Sequence, residues 1–515
     1  MLWRGAIALL GLRSNCGYAR VPLQQKIQPK RVIFVLFNTK LFILVFLPLA
    51  LCGFLLLGRL GRHPALGWLF ACSLIFYAWW KPVLVLLLMA SISVNFCLGK
   101  RVHGRKRSGA WLTGGLTFNL ALLGFFKYAN FFAALLGLRP PFGGVLLPLG
   151  ISFFTFQQVM YLVDTSRGDI KPPPFLDYAC FIAFFPHLIA GPIVRPAHIL
   201  PQFAGLQPRK DWRVHFSEGG EIFLLGLAKK LVLADGLARF ADPGFAAARA
   251  GYPLTLIEAW SALLAYALQI YFDFSGYSDM AIGLARLFGI HFPANFNSPY
   301  QACNISEFWR RWNITLSGFL REYLYIPIGG NRRGEMRRIV NLMATMLLGG
   351  LWHGAALRFV LWGGMHGAFL VLHGWWRRFG LPLPTFACRS LTLLAVILAW
   401  VPFRASGFSA VMNFYQGLFG YNGIAIPALY IKMLPALAHL GRAVPVLPYL
   451  GDARSLSLPQ AAVFLALGWF IALALPELHS MGRTRRSLAL VASFAFSFQA
   501  LLFAPDTLPF LYFQF

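Results

Sequence analysis

Acidic residues are scarce in this 515-residue chain: 17 Asp and Glu stand against 46 Lys and Arg, and charged residues of both signs make up only 12% of it. A soluble globule of this size needs many more polar side chains to cover its surface. With 58% hydrophobic residues, the chain reads as an integral membrane protein. It has no internal repeat, no low-complexity tract and no polar linker that would set off a second domain. Its seven cysteines are scattered without a CxxC pair or histidines at metal-ligand spacing, so neither a disulfide framework nor a metal site is indicated. No convincing small-residue cleavage site precedes Phe37. Residues 1–34 read as a poorly ordered N-terminal extension and 35–515 as a single multi-span domain.

What is present in abundance is apolar sequence. Runs approaching the roughly 17 to 25 residues needed to cross a bilayer recur from 41–57 to 488–503, among them 145–162, 175–193, 259–290 and 340–372. Roughly ten to twelve transmembrane or re-entrant helices are expected, an all-α polytopic architecture. The formal charge of +29 sits in short clusters between those runs, at 100–107, 331–338 and 483–486. Short basic loops are retained on the cytoplasmic side. The charge therefore reports topology, and no nucleic-acid partner is implied.

Ionisable and amide side chains inside apolar runs are costly, so each is a functional candidate until a packing partner explains it. The segment 344–376 holds His353, His366 and His373. On an unbroken helix the thirteen residues from His353 to His366 place those two on nearly opposite faces. They share a site only if the helix breaks, and Gly349-Gly350, Gly354 and Gly363-Gly364 are the places where it could. Trp352 and three glycines around His353 leave room for a substrate beside its imidazole. The segment SEFWRRWNITLSGFLREYLYIPIGGNRRG, 306–334, begins as an amphipathic helix when read at 3.6 residues per turn. Glu307, Arg310, Asn313, Ser317 and Arg321 share one stripe opposite an aromatic flank, a form that lies in a membrane interface. Asn313 can orient a substrate or polarise a carbonyl but cannot act as a base.

Asp273 and Asp279 interrupt the run 259–290, where Gly276 offers a bend; ion pairing to one of the many cations is at least as natural a role for them as catalysis. Gln157, Gln158, His187 and Arg195 lie beside helix-breaking Pro and Gly in PLGISFFTFQQVMYLVD and FFPHLIAGPIVRP. Broken helices at membrane depth line a cavity or are buried in protein, so a polar tunnel is expected there.

Several of these motifs together resemble the membrane-bound O-acyltransferase (MBOAT) family, specifically its bacterial alginate O-acetyltransferase-like branch: FWRRWNITLSGFLREYLYIPIGGNRRG, GGLWHGA, LWGGMHG, PLGISFFTFQQVMYLVD, FFPHLIAGPIVRP, FNSPY, WVPFRA and the terminal FLYFQF, in that family's order. The resemblance begins near Phe37, and residues before Arg31 match nothing in it. It implies many tilted helices around a central funnel or tunnel. His353, in GLWHG, takes the position of the family's histidine, and Asn313 that of its second polar residue, which in the alginate and teichoic-acid branches is usually histidine. Acetyl-coenzyme A is the implied donor, with no permanently bound cofactor.

Catalysis is thus expected from His353 and Asn313, and substrate or coenzyme binding from Arg310, Arg311, Ser317, Arg321, Asp273, Gln157, His187 and His366. Arg332 and Arg333 are further basic positions suited to the coenzyme's phosphates. The implied setting is the cell inner membrane, with membrane lipids, an extracytoplasmic SGNH-type or similar acetyltransferase partner and a polysaccharide synthesis and export complex around the chain. A transporter or flippase for a lipid-linked sugar is the rival that a polar tunnel would also suit, but the absence of internal repeats counts against it. A structural subunit of an export complex is the third reading.

Overall fold

The computed structural model describes residues 36–103, 108–139, 141, 144–380, 382–444, 447, 458–477, 490 and 509–511. The N-terminal extension, the basic cluster 483–486 and almost all of the run 488–503 lie outside the described residues. Within them, nineteen α-helices carry the fold, and strand is confined to a short parallel pair, Ala425–Pro427 with Arg442–Val444. Among the described residues, three helices are long and apolar enough to cross a membrane: Val83–Val102, Ser108–Leu135 and Thr385–Arg404. Leucines such as Leu86 and Leu120 stay exposed on the first two, as expected of a surface that meets hydrocarbon.

The helix Leu256–Leu287 runs through the middle of the packing, with most of its side chains buried. It lies against Trp212–Ala228 along a glycine seam. A Cβ on Gly226 would stand 2.6 Å from the Gly276 carbonyl oxygen, and one on Gly219 would stand 2.7 Å from that of Gly283. Small residues let helix backbones approach this closely, where association rests on van der Waals contact. Gly276 is therefore a contact residue and not the expected bend; the helix continues unbroken through it.

Two apolar runs divide where a single span was expected. The run 340–372 becomes two antiparallel helices, Gly334–His353 and Leu357–Phe379, which reverse through Gly354 and Ala356. Gly354 is extended there, and a Cβ on it would overlap the Phe359 ring. The glycine pairs that looked like break points serve the packing instead, since Gly350 and Gly363 let the two helices touch backbone to backbone. The run 175–193 is likewise broken, into Phe175–Ala183 and Phe185–Leu188, with Phe184 between them non-helical. This irregular backbone is buried in protein throughout, which is how such geometry is tolerated at membrane depth.

Neutral polar side chains tie the neighbouring helices together. Gln158 Oε1 accepts from Ser91 Oγ at 2.8 Å and from Asn95 Nδ2 at 2.9 Å, while Asn119 Nδ2 donates to Asn95 Oδ1 at 2.6 Å. Three helices, Val83–Val102, Ser108–Leu135 and Ile151–Arg167, meet at this cluster, so Gln158 is committed to packing.

Candidate active site

His353 is the last residue of its helix, delivered to the reversal with only 9% of its surface exposed. Its ring makes edge contacts with Trp352, Trp362 and Phe403 at centroid distances of 4.9, 5.0 and 5.2 Å. Together with Asp273, Trp312, Trp362, Trp400 and Phe403 it lines a small cavity in the protein interior. The reversal also resolves the spacing problem. His366, thirteen residues on, returns alongside and packs against the same Trp362 at 4.8 Å. It is fully buried, and neither ring nitrogen has a hydrogen-bond partner among the described residues. Phe308 stacks on it at 6.1 Å and Trp309 meets it edge-on at 5.2 Å. The segment carrying Asn313 is thereby fastened to the histidine helices.

That segment is not the continuous amphipathic helix its periodicity predicts. Helix Ile305–Arg311 stops, Asn313 takes the left-handed conformation at φ 43° and ψ 56°, and a second helix, Ile314–Phe319, starts in a new direction before a π-helical turn at Leu320–Tyr325. The cause is Asn295, distant in sequence. Its carbonyl accepts the Ile314 N–H at 2.9 Å, and its Oδ1 accepts from the Thr315 N–H at 3.2 Å and from Thr315 Oγ1 at 2.8 Å. Thr315 Oγ1 in turn accepts the Ile193 N–H at 3.0 Å. These bonds offset the steric cost of a left-handed non-glycine residue. Asn313 is buried, at 3% exposure, and so does not face headgroups. It stands next to Trp312 in the cavity wall but is not itself a lining residue.

The other predicted residues fall into several settings. Arg310 and Arg321 are exposed, Arg310 donating to Ser306 Oγ at 3.4 Å and Arg321 lying 3.7 Å from Glu322. Arg311 is held by Glu307 at 2.8 Å and by the Asn297 carbonyl at 3.1 Å, and Ser317 Oγ donates to the Trp312 carbonyl at 3.3 Å; both brace the bend. Asp273 lines the His353 cavity and is ion-paired to Lys230 at 2.7 Å, while its other oxygen accepts the Leu511 N–H at 2.9 Å. Gln157 is buried with its amide unpartnered among the described residues. His187 contacts the Phe181 carbonyl through Nε2 at 2.8 Å and packs on Phe292. Neither Gln157 nor His187 lines the His353 cavity.

Some of the site was not anticipated. The aromatic walls Trp362, Trp400 and Phe403 come from two successive helices, Leu357–Phe379 and Thr385–Arg404. Lys230, which holds Asp273, and Lys127, which reaches the Trp352 carbonyl, were both readable as cations inside apolar runs, the signal that singled out the histidines.

The reversal at His353 and the bend at Asn313 are thus joined through Trp309, Trp362 and His366, with Trp312 in the cavity wall. The chain belongs to the membrane-bound O-acyltransferase family, whose sequence model matches residues 3–415. It is a membrane acyltransferase. The match starts well ahead of Phe37, correcting the expectation that residues before Arg31 resemble nothing in the family. Among similar proteins, a peptidoglycan O-acetyltransferase of Helicobacter pylori is 42% identical over 434 residues, 77% of this chain and 82% of that one. A probable alginate O-acetylase of Pseudomonas aeruginosa is 41% identical over 410 residues, 75% of each chain. A teichoic acid D-alanyltransferase of Streptococcus thermophilus is 26% identical over 242 residues, 45% of this chain and 57% of its own.

Proposed function

We propose that this protein takes acetyl from cytoplasmic acetyl-coenzyme A and passes it through the cell inner membrane for O-acetylation of an exported polysaccharide, with an extracytoplasmic acetyltransferase completing the transfer. The observation that supports this reading best is His353, held in an aromatic cavity at the end of its helix in a chain about 40% identical to proteins named O-acetyltransferase or O-acetylase.

Acyl transfer from a thioester needs a base or acyl-accepting nucleophile and a donor to the oxygen that becomes negative in the tetrahedral intermediate. A neutral imidazole at 353 serves the first need, by taking the acceptor hydroxyl's proton or by receiving the acetyl group itself. The thiolate of coenzyme A leaves in either case. Asn313 serves the second need through its amide N–H. Aromatic walls exclude water, which would hydrolyse the thioester and weaken every electrostatic contact. Arg310 and Arg321, exposed and without tight partners, suit the coenzyme's phosphates.

The test is acetyl transfer from radiolabelled acetyl-coenzyme A in membrane vesicles containing the full chain and its acceptor system. His353→Ala abolishes transfer while the protein still inserts; transfer at the wild-type rate would overturn the role of His353. Asn313→Ala weakens it by about ten- to a thousandfold, as loss of an oxyanion donor does. Asn313→His restores a donor.

A further inference from the structure

The last carbonyls of a helix have no partners within it, and at membrane depth water is not there to satisfy them. Where the His353 helix ends, one neighbouring helix supplies the donors. Lys127 Nζ donates to the Trp352 carbonyl, and Tyr128 Oη donates to the Leu351 carbonyl at 3.0 Å. Lys127 also donates to Ser152 Oγ at 3.2 Å and sits 5.4 Å from the centre of the Trp352 ring. One ammonium group thus joins the helices Ser108–Leu135, Ile151–Arg167 and Gly334–His353 at the residue before His353.

Lys127 also differs from the other lysines in this interior. Lys229 and Lys230 are each paired with two carboxylates, whereas Lys127 has no ion-pair partner among the described residues. Its charge is offset only by dipoles and by a ring face. The negative end of the His353 helix and the Trp352 π-system both favour a cation at that place. A stabilising role alone would be met by any neutral donor at lower desolvation cost. An ammonium group carries three donors, enough to hold the Trp352 carbonyl and Ser152 Oγ together and so to fix where the His353 helix ends.

We propose that Lys127 is a positioning residue for acyl transfer: it locks the last turn of the His353 helix so that the imidazole keeps its reactive pose. This inference rests on the reading of His353 given above. Lys127→Met keeps the length and removes the donor and the charge, and Lys127→Arg keeps both. In the same vesicle assay with radiolabelled acetyl-coenzyme A, Lys127→Met lowers kcat about ten- to a hundredfold with KM unchanged, the signature of a displaced reacting group. Lys127→Arg recovers most of that loss. Tyr128→Phe removes a single hydroxyl and lowers kcat a few-fold, which keeps the test open should Lys127→Met fail to accumulate in the membrane.

Wild-type kcat in Lys127→Met or Tyr128→Phe, a loss confined to KM, or no recovery in Lys127→Arg overturns the inference. His353→Ala measured alongside separates the two claims. If it remains active, the reading of the site fails; if it is inactive while Lys127→Met turns over normally, only the role of Lys127 fails.

Discussion

Along the helix Leu256–Leu287, Lys229 and Lys230 are packed against Asp235, Asp273, Asp279 and Glu477 at separations of 2.7 to 2.9 Å. Across the cavity that Asp273 borders, His353 and His366 stand among tryptophan and phenylalanine rings. Both regions bury polarity deep in an apolar protein, but by different means. In the first, two lysines each bridge two carboxylates, and the bridging fixes the helices relative to one another. In the second, aromatic rings surround the two imidazoles, a low-dielectric setting in which charge that develops during reaction interacts strongly with what lies near it. A buried network of mutual pairs is poorly suited to chemistry for the same reason that it is well suited to architecture: its electrostatic energy is already realised.

Breaking each region in turn should separate function from stability. The largest effect is expected from His353→Ala, with acetyl transfer lost by a thousandfold or more, on the order of what removal of a catalytic group costs, while the unfolding temperature stays close to wild type. Lys230→Met should do the reverse. It strands Asp235 and Asp273 without their cation and destabilises the fold by about 3 to 5 kcal/mol, read as reduced accumulation and a lower unfolding temperature in detergent. Removing one of the two stranded carboxylates in the double variant with Asp273→Asn should recover part of that loss. Gly226→Ala, which pushes a methyl into the Gly276 carbonyl, should cost about 1 to 3 kcal/mol and leave KM for the donor unchanged in the protein that still folds. Smallest is Arg321→Gln, a few-fold rise in KM for acetyl-coenzyme A with kcat unaffected, an effect that shrinks as ionic strength rises.

The membrane class was legible because it follows from composition, and His353 and Asn313 were legible because a polar side chain in an apolar run is conspicuous wherever it ends up. The geometry around them was not, for an identifiable reason. Periodicity describes a helix that is left alone, and the helix at 305–319 is not left alone: Asn295 takes its N–H groups and turns it. The reversal after His353 was hidden in the same way, since Gly354 is one of several glycines in that run and only the fit of Phe359 against it marks it as the turn. Lys127 and Lys230 were visible as cations in apolar sequence, but Trp352 and Asp273, the partners that tie them to the site, lie far away in the chain. Asp235, five residues after Lys230, is the one local sign that this lysine is paired with acid.

The left-handed backbone at 313 makes that position answer to two selective demands at once. An alanine there loses the amide and also takes on about 1 kcal/mol or more of conformational strain, so Asn313→Ala by itself overstates what the side chain does. Glycine relieves the backbone without supplying an amide, and comparing the two variants divides the loss between shape and chemistry. Few side chains accept this conformation readily, and asparagine, aspartate and histidine are the ones enriched in it. An exchange between asparagine and histidine therefore leaves the bend standing and alters only what is presented from it, which lets this position vary its chemistry without refolding its surroundings.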